Sequence, residues 1–381
     1  MRVLIKVLVF VLIAGALGAG GLKWRYGGGG AFPDRLPGPA RLPETALETV
    51  AELPTPPGNI AVSSMGRVFV SLHPEARPEW KIVELVNGEM QPWPNLAYQT
   101  SADEPRRFRD VLSLRIDRQN RLWTLDNGQH GLHPGRLLAF DVDSGTLVHE
   151  FEFPREIAGL GSHLNDFQVS PDGNTIYIAE ASFFALTPAI VVYDVQRRSA
   201  RRLLEGHPAV QADRFIPVVQ GRRMEAFGLV AIRPGVDSIV LDRRGEWLYF
   251  AAVTDLNLYR IRSADLRDGQ MDAASLAGRV ETVVAKTVSD GLTIDDADTI
   301  YISDPEHSAI VTLRSDRSLE TLVQSERLRW PDGFSFGPDG WLYVSCSSLQ
   351  HVIGKPPSEV AANAPYSVFR IRTNASAVAG Q

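Results

Sequence analysis

Three features of this 381-residue chain predict an all-β fold, a six-bladed β-propeller closed by an N-terminal strand. One strand–turn–strand pattern recurs six times. A further strand trails each copy. The fourth strand that the last copy lacks has its counterpart near the other end of the chain.

The six copies begin at Asn59, Val111, Asp166, Asp237, Asp290 and Asp332. Each alternates apolar and polar residues, turns through a polar segment such as Pro171-Asp172-Gly173, and returns through a strand rich in aromatics. Third strands follow from Trp80, Arg136, Ala189, Leu256, Ser308 and Tyr366. Fourth strands follow in five units, from Met90, Thr146, Ala200, Val280 and Leu319. After Tyr366–Thr373 the chain ends in a short tail, whereas Leu47–Leu53 (LETVAEL) is similar to Leu319–Gln324 (LETLVQ) and precedes the first hairpin. A sandwich or a solenoid leaves that early strand unexplained. Pairing it with the last unit removes an open sheet edge. The propeller is thus expected over residues 44–373, with 374–381 as a tail.

Ahead of it, Arg2 and Lys6 precede an apolar run from Val7 to Leu22, the pattern of a signal peptide or membrane anchor over residues 1–22. Residues 23–43, with Gly27 to Gly30 and several prolines, read as a linker. A secreted, periplasmic or extracellular protein is expected, with membrane attachment only through residues 1–22. The formal charge of −6, without a basic run, argues against a nucleic-acid partner. A single cysteine, Cys346, excludes an internal disulfide framework and every multi-cysteine metal site.

Innermost propeller strands start beside the central channel. Asn59, Asp166 with its neighbour Asn165, Asp237, Asp290 and Asp332 stand at those starts, and the second unit offers Asp110 two positions early. Crowded carboxylates repel unless protonated or neutralised by a cation, and hard oxygen donors favour Ca²⁺ or Mg²⁺. Asn165, Asp290 and Asn59 are the candidate metal ligands, and the ring as a whole is the candidate small-molecule site. The competing reading is that these aspartates hydrogen-bond backbone amides of their own turns and of the neighbouring blade. His163, two residues before Asn165, and Asp166 are candidates for acid–base chemistry. His130 and His133 have a metal-like spacing without a third ligand. Asp126, Glu180 and Asp304 end second strands and are expected to hydrogen-bond turns or the interface between blades. No Gly-x-Ser-x-Gly elbow and no phosphate-cradling glycine loop occurs, so no nucleotide cofactor is expected. Insertions at about 204–235, 263–279 and 347–365 interrupt the repeat; the first and last, with Phe183 and Phe184, would wall a ligand.

The segments Leu122–Gly128, Ser162–Ser182, Leu248–Ile261, Asp290–Ile310 and Leu328–Ser345 resemble the yellow/major royal jelly protein family. More distantly the chain is similar to the SMP-30/gluconolactonase and paraoxonase propellers. The first resemblance implies an exported propeller that binds a small molecule, with isomerase or tautomerase activity on an aromatic or quinone-like compound as the candidate chemistry. The second implies a calcium-dependent lactonase or esterase. That group, however, carries a glutamate on its first inner strand, where this chain has Pro57-Gly58-Asn59-Ile60. A non-catalytic scaffold at the cell envelope is the third reading, and a monomer is expected in each.

Overall fold

The computed structural model describes residues 2–380. Six four-stranded antiparallel sheets, each ordered from the axis outward, form the blades of a propeller. Their inner strands are Pro57–Val62, Val111–Ile116, Leu164–Val169, Val236–Leu241, Leu292–Ile294 and Pro331–Phe336. The sixth sheet runs Pro331–Phe336, Trp341–Cys346, Tyr366–Arg372, Glu48–Leu53, so its outermost strand comes from the start of the chain.

Alternation has a structural consequence here, because both faces of every blade are covered by neighbours. Trp123, Leu125 and Leu137 of blade two pack on Phe167, Ile176 and Ile178 of blade three. Phe69, Trp93 and Phe140 join blades one and two. Each such layer removes apolar surface from water at ~25 cal/mol per Å², and the aromatic second strands supply much of that area.

The repeat fails in one informative place. In five blades the first hairpin slips register near the start of the inner strand, between Pro57 and Ile60, Val111 and Ser113, Leu164 and Phe167, Val236 and Ser238, and Pro331 and Phe334. A bulge turns successive side chains toward the axis instead of to opposite faces. The channel is narrow there. A Cβ on Gly291 would lie 1.8 Å from the Asp332 carbonyl oxygen, and one on Gly333 2.6 Å from Asn59 Oδ1.

A helix, Arg2–Tyr26, carries the apolar run and continues four residues into the segment read as a linker. Residues 27–42 then lie along the propeller rather than away from it. Gly30 bridges Phe215, Phe32 is buried against Val253 and Val288, and the amides of Arg41 and Leu42 donate to Thr321 and Leu322. Among the described residues no helix is long and apolar enough to cross a membrane. The insertion at 204–235 forms two small hairpins, and that at 347–365 a 3-10 turn and the helix Pro357–Ala362; both stand over the end of the channel where the inner strands begin.

Candidate functional site

The bulges set two levels of side chains at that end of the channel. Aligned on the hairpins, the first level is Gly58, Leu112, Asn165, Asp237, Asp290 and Asp332; the second is Asn59, Ser113, Asp166, Ser238, Gly291 and Gly333. The single ring expected from sequence is therefore two rings: Asn59 and Asp166 stand one residue nearer the turn than Asp237, Asp290 and Asp332, and in the bulged blades both positions face the axis. Asp110 is not part of either. Its amide donates to Asp126 Oδ1, and Leu112 takes its place at the axis.

The lower level is closed by a residue that sequence reasoning missed. Arg115, buried on the inner strand of blade two, reaches across the channel. It donates through Nη1 to Asn59 Oδ1 at 2.8 Å and to the Phe334 carbonyl at 3.2 Å. Asn59 Nδ2 donates in turn to Asp166 Oδ1 at 2.7 Å, while the Arg115 Nη2 to Asp166 Oδ2 separation of 3.9 Å is long for an ion pair. Burial pushes the Asp166 carboxyl up and the Arg115 guanidinium down, and each charge partly offsets the other's shift. The signal was present: the matching positions of the other blades hold Ala61, Gln168, Val240, Thr293 and Ser335, so an arginine there is anomalous.

The upper level has no cation. Asn165 Nδ2 donates to Asp237 Oδ1, Trp330 Nε1 donates to Asp290 Oδ2, and Asp237 and Asp290 hydrogen-bond each other. Burial, followed by repulsion among the acids, raises Asp237 and Asp332 well above the ordinary range. Burial carries Asp290 up to about 6, opposed by the Trp330 bond. Two carboxyls in contact share a proton because both cannot ionise side by side. Asn165 Oδ1 is buried without any hydrogen-bond partner. An unpaired acceptor among crowded acids is the electrostatic setting for a cation or a donor group.

Above this floor opens a cavity of about 770 Å³. Its walls are largely apolar, with Phe183, Phe227, Trp330, Leu349 and Val352, and Leu22 of the N-terminal helix reaches its edge. One side carries a cluster of titratable groups: His73, Glu75, His130 and His163. The His130 ring lies 4.8 Å from both the His163 and Phe184 rings, edge to face. His130 Nε2 stands 4.0 Å from Glu75 Oε1. Burial pushes His163 down to about 3 and His73 to about 4, so both are neutral bases at pH 7. Asp126, Glu180 and Asp304 lie outside the cavity and hydrogen-bond turns: Asp126 accepts from the Arg109, Asp110 and Gly128 amides, Glu180 from Ser162, and Asp304 pairs with His307. His133 is not among the cavity residues.

As arranged, no group of three or more His, Cys, Asp or Glu among the described residues is placed to hold a metal. Cys346 is buried, and burial drives its thiol far above the usual range, so it is inert.

Residues 110–363 match the family model described as major royal jelly protein. Among curated proteins, major royal jelly protein 9 of Apis mellifera is 22% identical over 241 residues, covering 61% of this chain and 54% of the relative, so this chain spans about half of that protein's length. Several solved propellers share the fold. A putative gluconolactonase superposes with a TM-score of 0.53 at 13% identity, covering 87% of this chain and 93% of that one. Regucalcin of Agrobacterium tumefaciens, described as a calcium-binding protein, gives 0.53 at 14%, covering 89% and 98%. A luciferin-regenerating enzyme gives 0.54 at 11%, covering 88% and 97%.

Proposed function

This chain belongs to the major royal jelly protein family, and on that premise we propose that it is an exported protein whose central cavity binds an aromatic or quinone-like small molecule bearing an amine. The observation that carries the reading is the acidic floor beneath an apolar-walled cavity, with the unpartnered Asn165 Oδ1 between the acids. An ammonium group donates to that oxygen and to the Asp237–Asp290 pair while neutralising their repulsion; the ring of the ligand lies along Phe183 and Trp330. Export rests on residues 1–22, and closure of the propeller on Glu48–Leu53.

The same floor supports proton transfer. The Asp237–Asp290 pair, which holds one proton between two carboxyls, gives that proton to one atom of the bound ring while its ionised carboxylate takes another from a second atom. Neutral His163 hydrogen-bonds a hydroxyl or carbonyl of the ring and orients it. The pair ends with the one proton it began with, which completes a tautomerisation without any redox partner. Thermal-shift and calorimetric titration with dopamine and dopachrome test the reading. Binding that weakens at least about tenfold in Asp290→Asn and Asn165→Ala, both still folded, is the expected result. No binding of any arylalkylamine or quinone by the parent chain overturns it.

A calcium-dependent lactonase is the second reading, favoured by four oxygen-bearing side chains on one level. Asn165, Asp290 and Asp332 would hold the ion, and it would polarise a substrate carbonyl. Asn59, expected as a ligand, is engaged by Arg115 and Asp166. A melting temperature that rises in millimolar Ca²⁺ and falls in EDTA supports this reading over the first.

A further inference from the structure

Exposed large apolar side chains are not scattered over this molecule. Of the thirteen among the described residues, five lie on the N-terminal helix and five on the loops ringing the cavity mouth. Only Met65, Leu96 and Val148 lie elsewhere. Leu160 and Phe227 are 72% and 83% exposed, and Trp24 at the end of the helix 84%.

These residues form one surface. The Gly161 amide donates to the His130 carbonyl, and the Phe184 amide to the Gly161 carbonyl, which ties the loops bearing Leu132, Leu160 and Phe184 together. Tyr26 Oη donates to the Phe184 carbonyl at 2.9 Å, fastening the helix end to the same rim. Gly27 fits against Leu229, next to the loop of Phe227, with no room for a Cβ. Lys23, Arg25 and Arg77 are exposed around it.

We infer that this collar docks on a lipid bilayer, with the cavity mouth turned toward the membrane. The occupant is identified by continuity. The collar extends into a helix whose Phe10, Ile13 and Leu17 stand 73%, 55% and 72% exposed, apolar side chains that are more favourably placed in hydrocarbon than in water. A tryptophan between two basic residues, Lys23-Trp24-Arg25, is the composition of a headgroup-level anchor. On the reading that the floor binds an amine, the ligand is then an amphiphile that enters from the lipid phase, head first toward the acids.

The test is made without ligand, so its failure and that of the ligand reading are separate. Cys346 is buried, so variants of the full chain with one accessible cysteine each, Leu160→Cys, Phe227→Cys and Met65→Cys, are labelled with an environment-sensitive dye. Each is mixed with vesicles of phosphatidylethanolamine and phosphatidylglycerol carrying nitroxide-labelled lipid. The expected result is a blue shift and at least about twofold stronger quenching at 160 and 227 than at 65, which is at the opposite end of the propeller. Equal quenching at all three sites overturns the proposal. So does protection of 160 and 227 only on self-association in lipid-free buffer, which would make the collar a contact between copies.

Discussion

Replacing Asp290 by asparagine should stabilise the protein at neutral pH. Asp290 keeps its proton in the folded state up to about 6, whereas an aspartate in the unfolded chain loses it near 3.9. Below pH ~4 both states are protonated and the stabilisation is fully present; as pH rises through 6 it is lost, because only the unfolded state ionises freely. A shift of about two units at ~1.4 kcal/mol each makes this loss about 3 kcal/mol. The amide side chain does not titrate. Its carbonyl still accepts from Trp330 Nε1, and its NH₂ donates to Asp237. For about 330 ordered residues the unfolding entropy is about 0.7 kcal/mol/K, so ~3 kcal/mol corresponds to a rise of about 4 °C. Melting curves of parent and Asp290→Asn in EDTA buffer should coincide near pH 4 and diverge up to pH 7.5. A variant that melts below the parent at pH 7.5, or that keeps the parent's slope between pH 4 and 6, would refute the account of a repulsive, proton-sharing floor.

Arg115→Met should destabilise by about 3–5 kcal/mol, since it leaves Asp166 buried without its counter-charge; denaturant midpoints measure this, and Arg115→Met/Asp166→Asn should recover a large part of the loss. The single variant should also gain a Ca²⁺-dependent rise in melting temperature that the lower level of the parent lacks, because the vacated guanidinium site is lined by Asn59 and Asp166 oxygens. Deleting residues 44–53 should lower the melting temperature much more than deleting 1–43: the first exposes the buried Tyr366–Arg372 strand, the second mainly Phe32. Equal melting temperatures for the two truncations would mean that Glu48–Leu53 does not hold the ring. His163→Phe should slow tautomerisation at least about tenfold while leaving arylalkylamine affinity within about twofold, read as kcat falling with KM unchanged, and His163→Gln, which keeps a hydrogen bond to the ring, should restore most of the rate.

The blade count, the strand order within each blade and the family were legible in the chain, because they rest on local alternation repeated six times and on motifs such as Leu164-Asn165-Asp166. The acids of the floor were legible for the same reason: the repeat assigns every inner-strand start to one axis. Their levels were not. A bulge is a one-residue slip decided by how closely backbones pack around the axis, as the tight approach at Gly333 shows. The partners of the acids were equally out of reach. Arg115 meets Asn59 and Phe334 across more than fifty and two hundred residues of sequence, and Trp330 meets Asp290 from a neighbouring blade. Residue types and local period determine which strands form and which face each presents. The charge balance of the channel, and the gathering of Leu160, Phe227 and Trp24 around one mouth, depend on contacts between blades that exist only once the ring has closed.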